Sequence, residues 1–119
     1  MQGSLPLERL VSEWSSHLEQ RCHRVRRPRR AANVVVSRNG HGTRYRWVLL
    51  HARGPSRRLT AIEHETIKRE LERGRRAKEQ VYLVMEFERP ENKLVVLPAI
   101  KAAELGQLRS DKGGIPWNR

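Results

Sequence analysis

The sequence has 119 residues, of which 37% are hydrophobic, and its mean hydropathy is −0.77. These values predict a single domain over residues 1–119 with one modest core, and no apolar run is long enough for a membrane-spanning helix. The 25 lysines and arginines outnumber the 13 acidic residues, which gives a formal net charge of +12 at pH 7. Such a charge attracts polyanions, and nucleic acid is the commonest of them.

The positive charge is concentrated in the first half of the chain. Residues 1–60 contain 13 arginines, no lysine and 3 glutamates, whereas residues 61–119 contain 12 basic and 10 acidic residues. We therefore expect the residues that contact a polyanion to lie in the first half.

The cysteine content indicates the compartment. Cys22 is the only cysteine, and one thiol can form neither an internal disulfide nor a multi-cysteine zinc site. The first residues also lack the basic and then apolar pattern of a secretory signal. We expect a cytoplasmic protein with no membrane partner.

Three helices are predicted from apolar spacing and capping signals. Residues 5–20 carry apolar side chains at helical spacing, namely Leu7, Leu10, Val11, Trp14 and Leu18. Thr60 and Glu63 have the spacing of a capping box, so a second helix should begin there and run to about Arg73 or further, with Gly74 as its expected stop. A short third helix is expected over 100–108.

Two hairpins are predicted on either side of the second helix. The β-branched run in 32–37 and the strand 43–53 flank the turn signal at Asn39 and Gly40. A strong strand over 81–88 and a partner over 94–97 flank a turn that contains Pro90. The order α-β-β-α-β-β-α predicts an α/β (α+β) fold with a mixed sheet flanked by helices. Residues 109–119 should form an irregular tail, with Ile115 and Trp117 docked on the body.

The first candidate binding element is a basic segment, residues 21–30, in which six of ten residues are arginine. It is either a solvated connector or an arm that contacts phosphates. The location in the most basic half favours the arm. Its candidate phosphate contacts are Arg24, Arg26, Arg27, Arg29 and Arg30.

The second candidate element is a strand that alternates arginines and aromatic rings. Arg44 and Arg46 fall on one face of the strand and could bind phosphates, while Tyr45 and Trp47 fall on the other. The rings either stack on bases or pack in the core. A third basic group, over residues 69–78, shares its helix with glutamates and is expected to be solvated.

Residues for nucleophilic, metal or nucleotide chemistry form no recognisable motif. Cys22 and His23 are neighbours, and adjacent residues rarely place a nucleophile and its base correctly. The five histidines include no H-x-x-x-H pair, and the glycines at 40–42 and 113–114 do not form a phosphate loop. We therefore expect no cofactor and no bound metal.

The order helix, hairpin, capped helix, hairpin resembles the PD-(D/E)XK nuclease-like superfamily, which includes restriction endonucleases and Holliday-junction resolvases. The resemblance covers about residues 5–100. Its members often carry a Glu in the first helix, an Asp entering the second strand and Glu-x-Lys on the third. Here Glu13 lies in the first predicted helix, and His51-x-Arg53 follows the apolar run 47–50 at the position expected for Glu-x-Lys.

The resemblance implies a restriction-endonuclease-like fold with a nucleic-acid-binding shape but without the intact catalytic motif. Asp111 is the only aspartate, so none precedes the second predicted strand, and Mg²⁺ lacks its carboxylate pair. In an alternative reading, Glu86 and Glu88 share a strand face and form a Glu-based Mg²⁺ site with Glu13, His51 and Arg53. An exposed face of an antiparallel strand would show the same alternation.

We therefore predict a small basic nucleic-acid-binding protein without catalytic activity, which binds DNA or RNA through arginine–phosphate contacts. Arg44, Arg46 and Trp47 would extend the surface of the basic segment. Two alternatives remain open at this point: a metal-dependent nuclease with the Glu-based site, and an interaction module for an acidic protein. Whether the chain forms a homodimer is also open.

Overall fold

The computed structural model describes residues 5–117. It contains three helices and eight strands within that range. The helices are α1 (Leu5–Gln20), α2 (Ala61–Ala77) and α3 (Ala99–Leu105). The strands are β1 (Arg24–Arg26), β2 (Val34–Arg38), β3 (Arg44–Ala52), β4 (Ser56–Arg58), β5 (Gln80–Phe87), β6 (Lys93–Pro98), β7 (Gln107–Arg109) and β8 (Ile115–Pro116).

One mixed sheet organises the described chain. Its six strands lie in the order β1-β2-β3-β5-β6-β8, and β4 pairs separately with β7. Both predicted hairpins are confirmed, because β2 pairs antiparallel with β3 and β5 pairs antiparallel with β6. The central pair β3 and β5 is parallel, so α2 serves as the crossover between them. The mixed α/β class predicted from the sequence is confirmed.

Helix α1 packs on one face of the sheet through its predicted apolar stripe. Leu10, Val11, Trp14 and Leu18 are all buried and lie in one cluster with residues of β2 and β3, including Trp47 and Leu49. Five of the six aromatic residues lie in or against this cluster. These are Trp14, Tyr45, Trp47, Tyr82 and Trp117.

Helix α2 packs on the opposite face. Side chains alternate along a strand, so Val48 and Leu50 of β3 point away from α1 and join Ile67 of α2 in a second core cluster. The helix begins as predicted: the Thr60 hydroxyl accepts a hydrogen bond from the Glu63 amide, and the Glu63 carboxylate accepts one from the Thr60 amide.

The predicted stop of α2 at Gly74 is wrong. The helix continues past Gly74 to Ala77 and is capped by Lys78, which adopts a left-handed conformation with φ of 58°. Gly74 is buried inside the helix against Val81 of β5. Glycine is therefore needed at this position for close packing, and not as a helix stop.

Two segments in which no strand was predicted contain short strands. Within residues 21–30, β1 adds to the edge of the sheet beside β2. Within residues 109–117, β8 pairs with β6, so the tail has regular structure as far as it is described, and its last two residues lie outside that range. Trp117 docks as predicted, with its amide donating to the Asn92 carbonyl across 2.9 Å, whereas the Ile115 side chain is 54% exposed.

Helix α3 is shorter than the predicted 100–108. It ends at Leu105 because Gly106 takes a left-handed conformation and closes the helix. No helix within residues 5–117 combines the length and the apolar character needed to cross a bilayer.

Candidate functional site

The first feature of the site is a row of arginines that crosses three strands. Arg38 on β2 lies directly opposite Arg24 on β1 and, on its other side, opposite Arg44 on β3. Residues directly opposite each other share a sheet face with Cβ atoms about 5 Å apart, and like charges in such positions repel. All three side chains are exposed. Guanidinium groups form short, charge-assisted hydrogen bonds with anions, so an anion over the row would relieve the repulsion.

Arg26 extends the row along β1. It lies two residues after Arg24 on the same strand, so both side chains point to the same face. We call Arg24, Arg26, Arg38 and Arg44 the arginine face. Sequence reasoning identified all of them except Arg38, which ends a strand that was singled out for its valines. Pairing of β1 with β2, which the sequence did not predict, brings Arg38 into the row.

Two cavities adjoin the arginine face. The first has a volume of about 290 Å³ and is lined by all four arginines, together with Val25, Val36, Ser37 and Glu79. The second has a volume of about 390 Å³ and is lined by Cys22, Arg24, Arg38, Asn39, Gly40 and Gly42. Because Arg24 and Arg38 line both, the two cavities are neighbours on one surface.

Arg46, predicted as a phosphate contact, is not available for one. The residue is only 8% exposed, and it donates hydrogen bonds to Glu70 across 2.7 Å and to Glu79 across 2.6 Å. Burial alone would lower the pKa of Arg46, but the bonds to the two carboxylates outweigh it and raise the pKa. Its charge is satisfied inside the protein, so we remove Arg46 from the interface.

Trp47, predicted as a base-stacking residue, is part of the core. It is 8% exposed, and its indole N–H donates to the Ser37 hydroxyl across 2.9 Å. The rings of Tyr45 and Tyr82 lie on it with centroid distances of 5.3 Å each. From the sequence, this ring could either stack on a base or pack in the core, and the structure favours the core.

The remaining arginines of the basic segment follow β1 in the connection to β2. Arg27 reaches back to α1, where it donates to the Ser12 hydroxyl across 3.2 Å. Arg29 and Arg30 are exposed in the turn. The segment is therefore divided between the arginine face and a loop, and contacts of this loop with nucleic acid stay a prediction.

The second feature of the site is a histidine between two carboxylates at the far end of β3. His51 lies opposite Glu86 in the parallel pairing of β3 with β5. The His51 Nε2 atom is 3.3 Å from Glu88 Oε1 and 3.9 Å from Glu86 Oε1. The Glu86 side chain is completely buried, and that of Glu88 is 35% exposed. Three residues of the alternative nuclease reading are thus brought together.

Of the other two residues proposed for the Glu-based site, Arg53 follows this cluster in sequence and Glu13 lies on α1. Arg53 is exposed immediately after β3 ends, two residues beyond His51. Glu13 is half-buried on α1, which packs on the same sheet face as Leu49 of β3.

Asn33 is the residue that sequence reasoning missed. It immediately precedes β2, and its side-chain amide donates to the Leu49 carbonyl on β3 across 3.2 Å. Because β1 comes first, β2 is the second strand and β3 the third. Asn33 therefore stands at the start of the second strand, and His51 and Arg53 stand at the end of the third. Recognition of β1 as a strand would have shown this placement of Asn33.

These residues do not fit a Mg²⁺ ion. Magnesium prefers oxygen ligands that include carboxylates, whereas the three positions supply a neutral amide, an imidazole and a guanidinium. The Asn33 amide is also engaged by the backbone of Leu49. Within residues 5–117 there is no group of three or more His, Cys, Asp or Glu arranged to hold a metal ion.

Comparison with known proteins identifies the fold. No family model matches the chain, and no curated protein matches it significantly. Among solved structures, the chain is similar to Hjc, a Holliday junction resolvase from the archaeal hyperthermophile Archaeoglobus fulgidus. The TM-score is 0.67 at 13% sequence identity, over 93% of this chain and 91% of the resolvase chain. The chain therefore shares the fold of this resolvase, and the restriction-endonuclease-like fold predicted from the order of elements is confirmed.

Proposed function

We propose that this protein binds nucleic acid through the arginine face and does not cleave it with a metal ion. The row of Arg24, Arg38 and Arg44 across three strands carries the proposal, because exposed like charges at neighbouring positions are costly unless an anion lies over them. The resolvase with this fold acts on a Holliday junction, which supports DNA as the first partner to test.

Binding would be driven by neutralisation of phosphates. Each arginine that contacts a phosphate releases condensed counterions, so affinity falls steeply as salt rises. Four such contacts predict a slope of about −3 to −4 for log K against log salt concentration. Contacts of this kind position the protein on the backbone and read little sequence, so we expect weak sequence preference.

The absence of cleavage is proposed from the residues at the end of β3. None of Asn33, His51 and Arg53 supplies the carboxylate that Mg²⁺ prefers, and the permanent positive charge of Arg53 repels a cation. The alternative of a Glu-based nuclease retains one favourable observation, which is the closeness of Glu86 and Glu88 to His51. This alternative requires cleavage of nucleic acid that is lost when either carboxylate is removed.

The test is a fluorescence anisotropy titration with labelled oligonucleotides over a range of salt concentrations. Arg24→Ala with Arg38→Ala should lower affinity by at least about tenfold at low salt and reduce the magnitude of the slope by about 2. The matched control is Arg58→Ala with Lys101→Ala. It removes the same charge from β4 and α3, and neither residue lines the two cavities of the arginine face. Equal losses in both variants would show that only net charge matters and would contradict the proposed interface.

A competition experiment distinguishes a nucleic-acid partner from an acidic protein partner. Polyglutamate of matched charge is added to the complex at moderate salt. If the protein is a nucleic-acid binder, polyglutamate should displace the oligonucleotide only at a large excess. Displacement at equal charge concentration would favour the interaction-module alternative.

A further inference from the structure

We infer that the preferred ligand of the arginine face is single-stranded nucleic acid, with two successive nucleotides in the two adjoining cavities. This inference rests on the proposed function and adds the class of ligand. The two cavities support this choice of ligand, because binding of phosphates alone would require only a flat basic surface.

The sizes of the cavities fit small organic groups. Their volumes of about 290 Å³ and about 390 Å³ are close to the lower end of the range for small-molecule sites, which begins at about 300 Å³. Arg24 and Arg38 belong to both cavities and are directly opposite each other. A phosphate that links two nucleotides can therefore lie over this pair while the groups on either side of it enter the cavities.

The lining supports a base as well as a phosphate. The first cavity includes Val36, which lies on the same sheet face as the arginines and offers apolar surface between them. Glu79 is the one carboxylate in its lining, and that carboxylate is already bound to Arg46 at 2.6 Å. Its negative charge is thus compensated inside the protein.

The second cavity has a wall that is held in place by hydrogen bonds. The Asn39 side-chain oxygen accepts from the amides of His41 and Thr43, at 3.0 and 2.9 Å, and this fixes the turn between β2 and β3. Gly40 leaves open space where a side chain would stand. A preformed cavity of this kind loses little conformational entropy when a ligand enters it.

Unpaired bases are required to use these cavities. In a duplex the bases are stacked and paired, so only phosphates and sugars reach a surface of this kind without deformation. A single strand can turn its bases out, and proteins that bind single strands combine a basic track with sites for the bases. The arginine face has both elements on one surface.

The experiment compares four probes with the intact protein in the same buffer: an eight-nucleotide DNA strand, the same RNA strand, the corresponding DNA duplex and adenosine monophosphate. We expect either single strand to bind at least about tenfold more tightly than the duplex, and the mononucleotide to bind weakly because it offers one phosphate only. The two strands distinguish DNA from RNA.

A cavity-filling variant isolates the base site from the charge. Gly40→Leu adds a bulky side chain to a residue that lines the second cavity and removes no arginine. Gly54→Leu is the matched control, since an added side chain meets open space at both positions. Gly40→Leu should weaken single-strand binding at least about fivefold and leave duplex binding unchanged, whereas Gly54→Leu should change neither.

The outcomes separate this inference from the proposed function. Duplex affinity equal to or above that of the single strands, or equal effects of Gly40→Leu on both probes, would overturn the inference and leave nucleic-acid binding standing. If neither strand nor duplex bound at low salt, the proposed function itself would fail.

Discussion

Arg46 donates a hydrogen bond to Glu70 across 2.7 Å, and both residues are almost completely buried between β3 and α2. The same strand carries the exposed Arg44 two residues earlier. One arginine of the strand therefore fixes the helix to the sheet, while its neighbour faces solvent. The difference arises from Glu70 and Glu79, which lie beside Arg46.

Removal of Glu70 should destabilise the protein strongly. Glu70→Ala leaves Arg46 buried with one carboxylate instead of two and also removes the partner of Arg73, which is 2.8 Å from Glu70. Loss of one partner of a buried pair typically costs about 3 kcal/mol or more. Urea denaturation followed by tryptophan fluorescence measures the change. Glu72→Ala, which removes an exposed carboxylate of the same helix, is the control and should have no measurable effect.

Substitution of Gly74 by alanine should also destabilise the protein. In an ordinary helix interior this change is favourable by about 0.5 to 1 kcal/mol. Here Gly74 packs directly on the Val81 side chain, so an added methyl group requires that side chain or the helix to shift. Overpacking of this kind costs about 1–3 kcal/mol. Thermal unfolding gives the sign of the change.

A second variant tests whether Val81 is the cause. Gly74→Ala combined with Val81→Ala should be more stable than the sum of the two single changes predicts, because the smaller residue makes room for the added methyl group. If the effects of the two substitutions on the free energy of unfolding simply added, the strain would not arise from the contact with Val81.

The sequence predicted most of the main elements because their signals are local. The apolar stripe of α1, the Thr60–Glu63 capping box and the two hairpins depend on residues within a few positions of each other. The end of α2 at Gly74 was predicted from the same kind of signal and was wrong, because contact with Val81 on another element determines that position.

The site was harder to predict because it depends on strand pairing. Arg38 joins the arginine face only through the pairing of β2 with β1, a strand of three residues with little apolar content. The burial of Arg46 depends on glutamates 24 and 33 residues further along the chain. His51 meets Glu86 through a parallel pairing that no hairpin signal indicates.

The stability of the protein should fall as the pH falls through the range in which histidine titrates. Burial lowers the pKa of His23 below 6.5, and burial together with the charges of Arg21 and His23 lowers the pKa of His17. As the pH drops below about 6.5, the unfolded chain takes up protons before the folded chain does, so the free energy of unfolding decreases. The decrease ends once the folded histidines are themselves protonated.

Urea denaturation between pH 8 and pH 5 measures this dependence. His17→Gln combined with His23→Gln should reduce the slope of stability against pH relative to the unchanged protein, because two of the groups responsible are removed. Identical slopes for the variant and the parent would show that the two histidines do not contribute. Titration of the imidazole signals by NMR gives the direction of each pKa shift independently.

Divalent metal ions should neither change the thermal stability of the protein nor activate cleavage of DNA. Asn33, His51 and Arg53 supply no carboxylate for Mg²⁺, so neither EDTA nor millimolar Mg²⁺ or Mn²⁺ should shift the thermal midpoint or produce cleavage of duplex, branched or single-stranded DNA. Asn33→Asp, His51→Glu and Arg53→Lys introduced together should create a site whose occupation by Mn²⁺ raises the thermal midpoint. The expectation would be wrong if the unchanged protein cleaved DNA with Mn²⁺ and lost that activity on Glu86→Gln or Glu88→Gln, because the carboxylates beside His51 would then be the metal ligands.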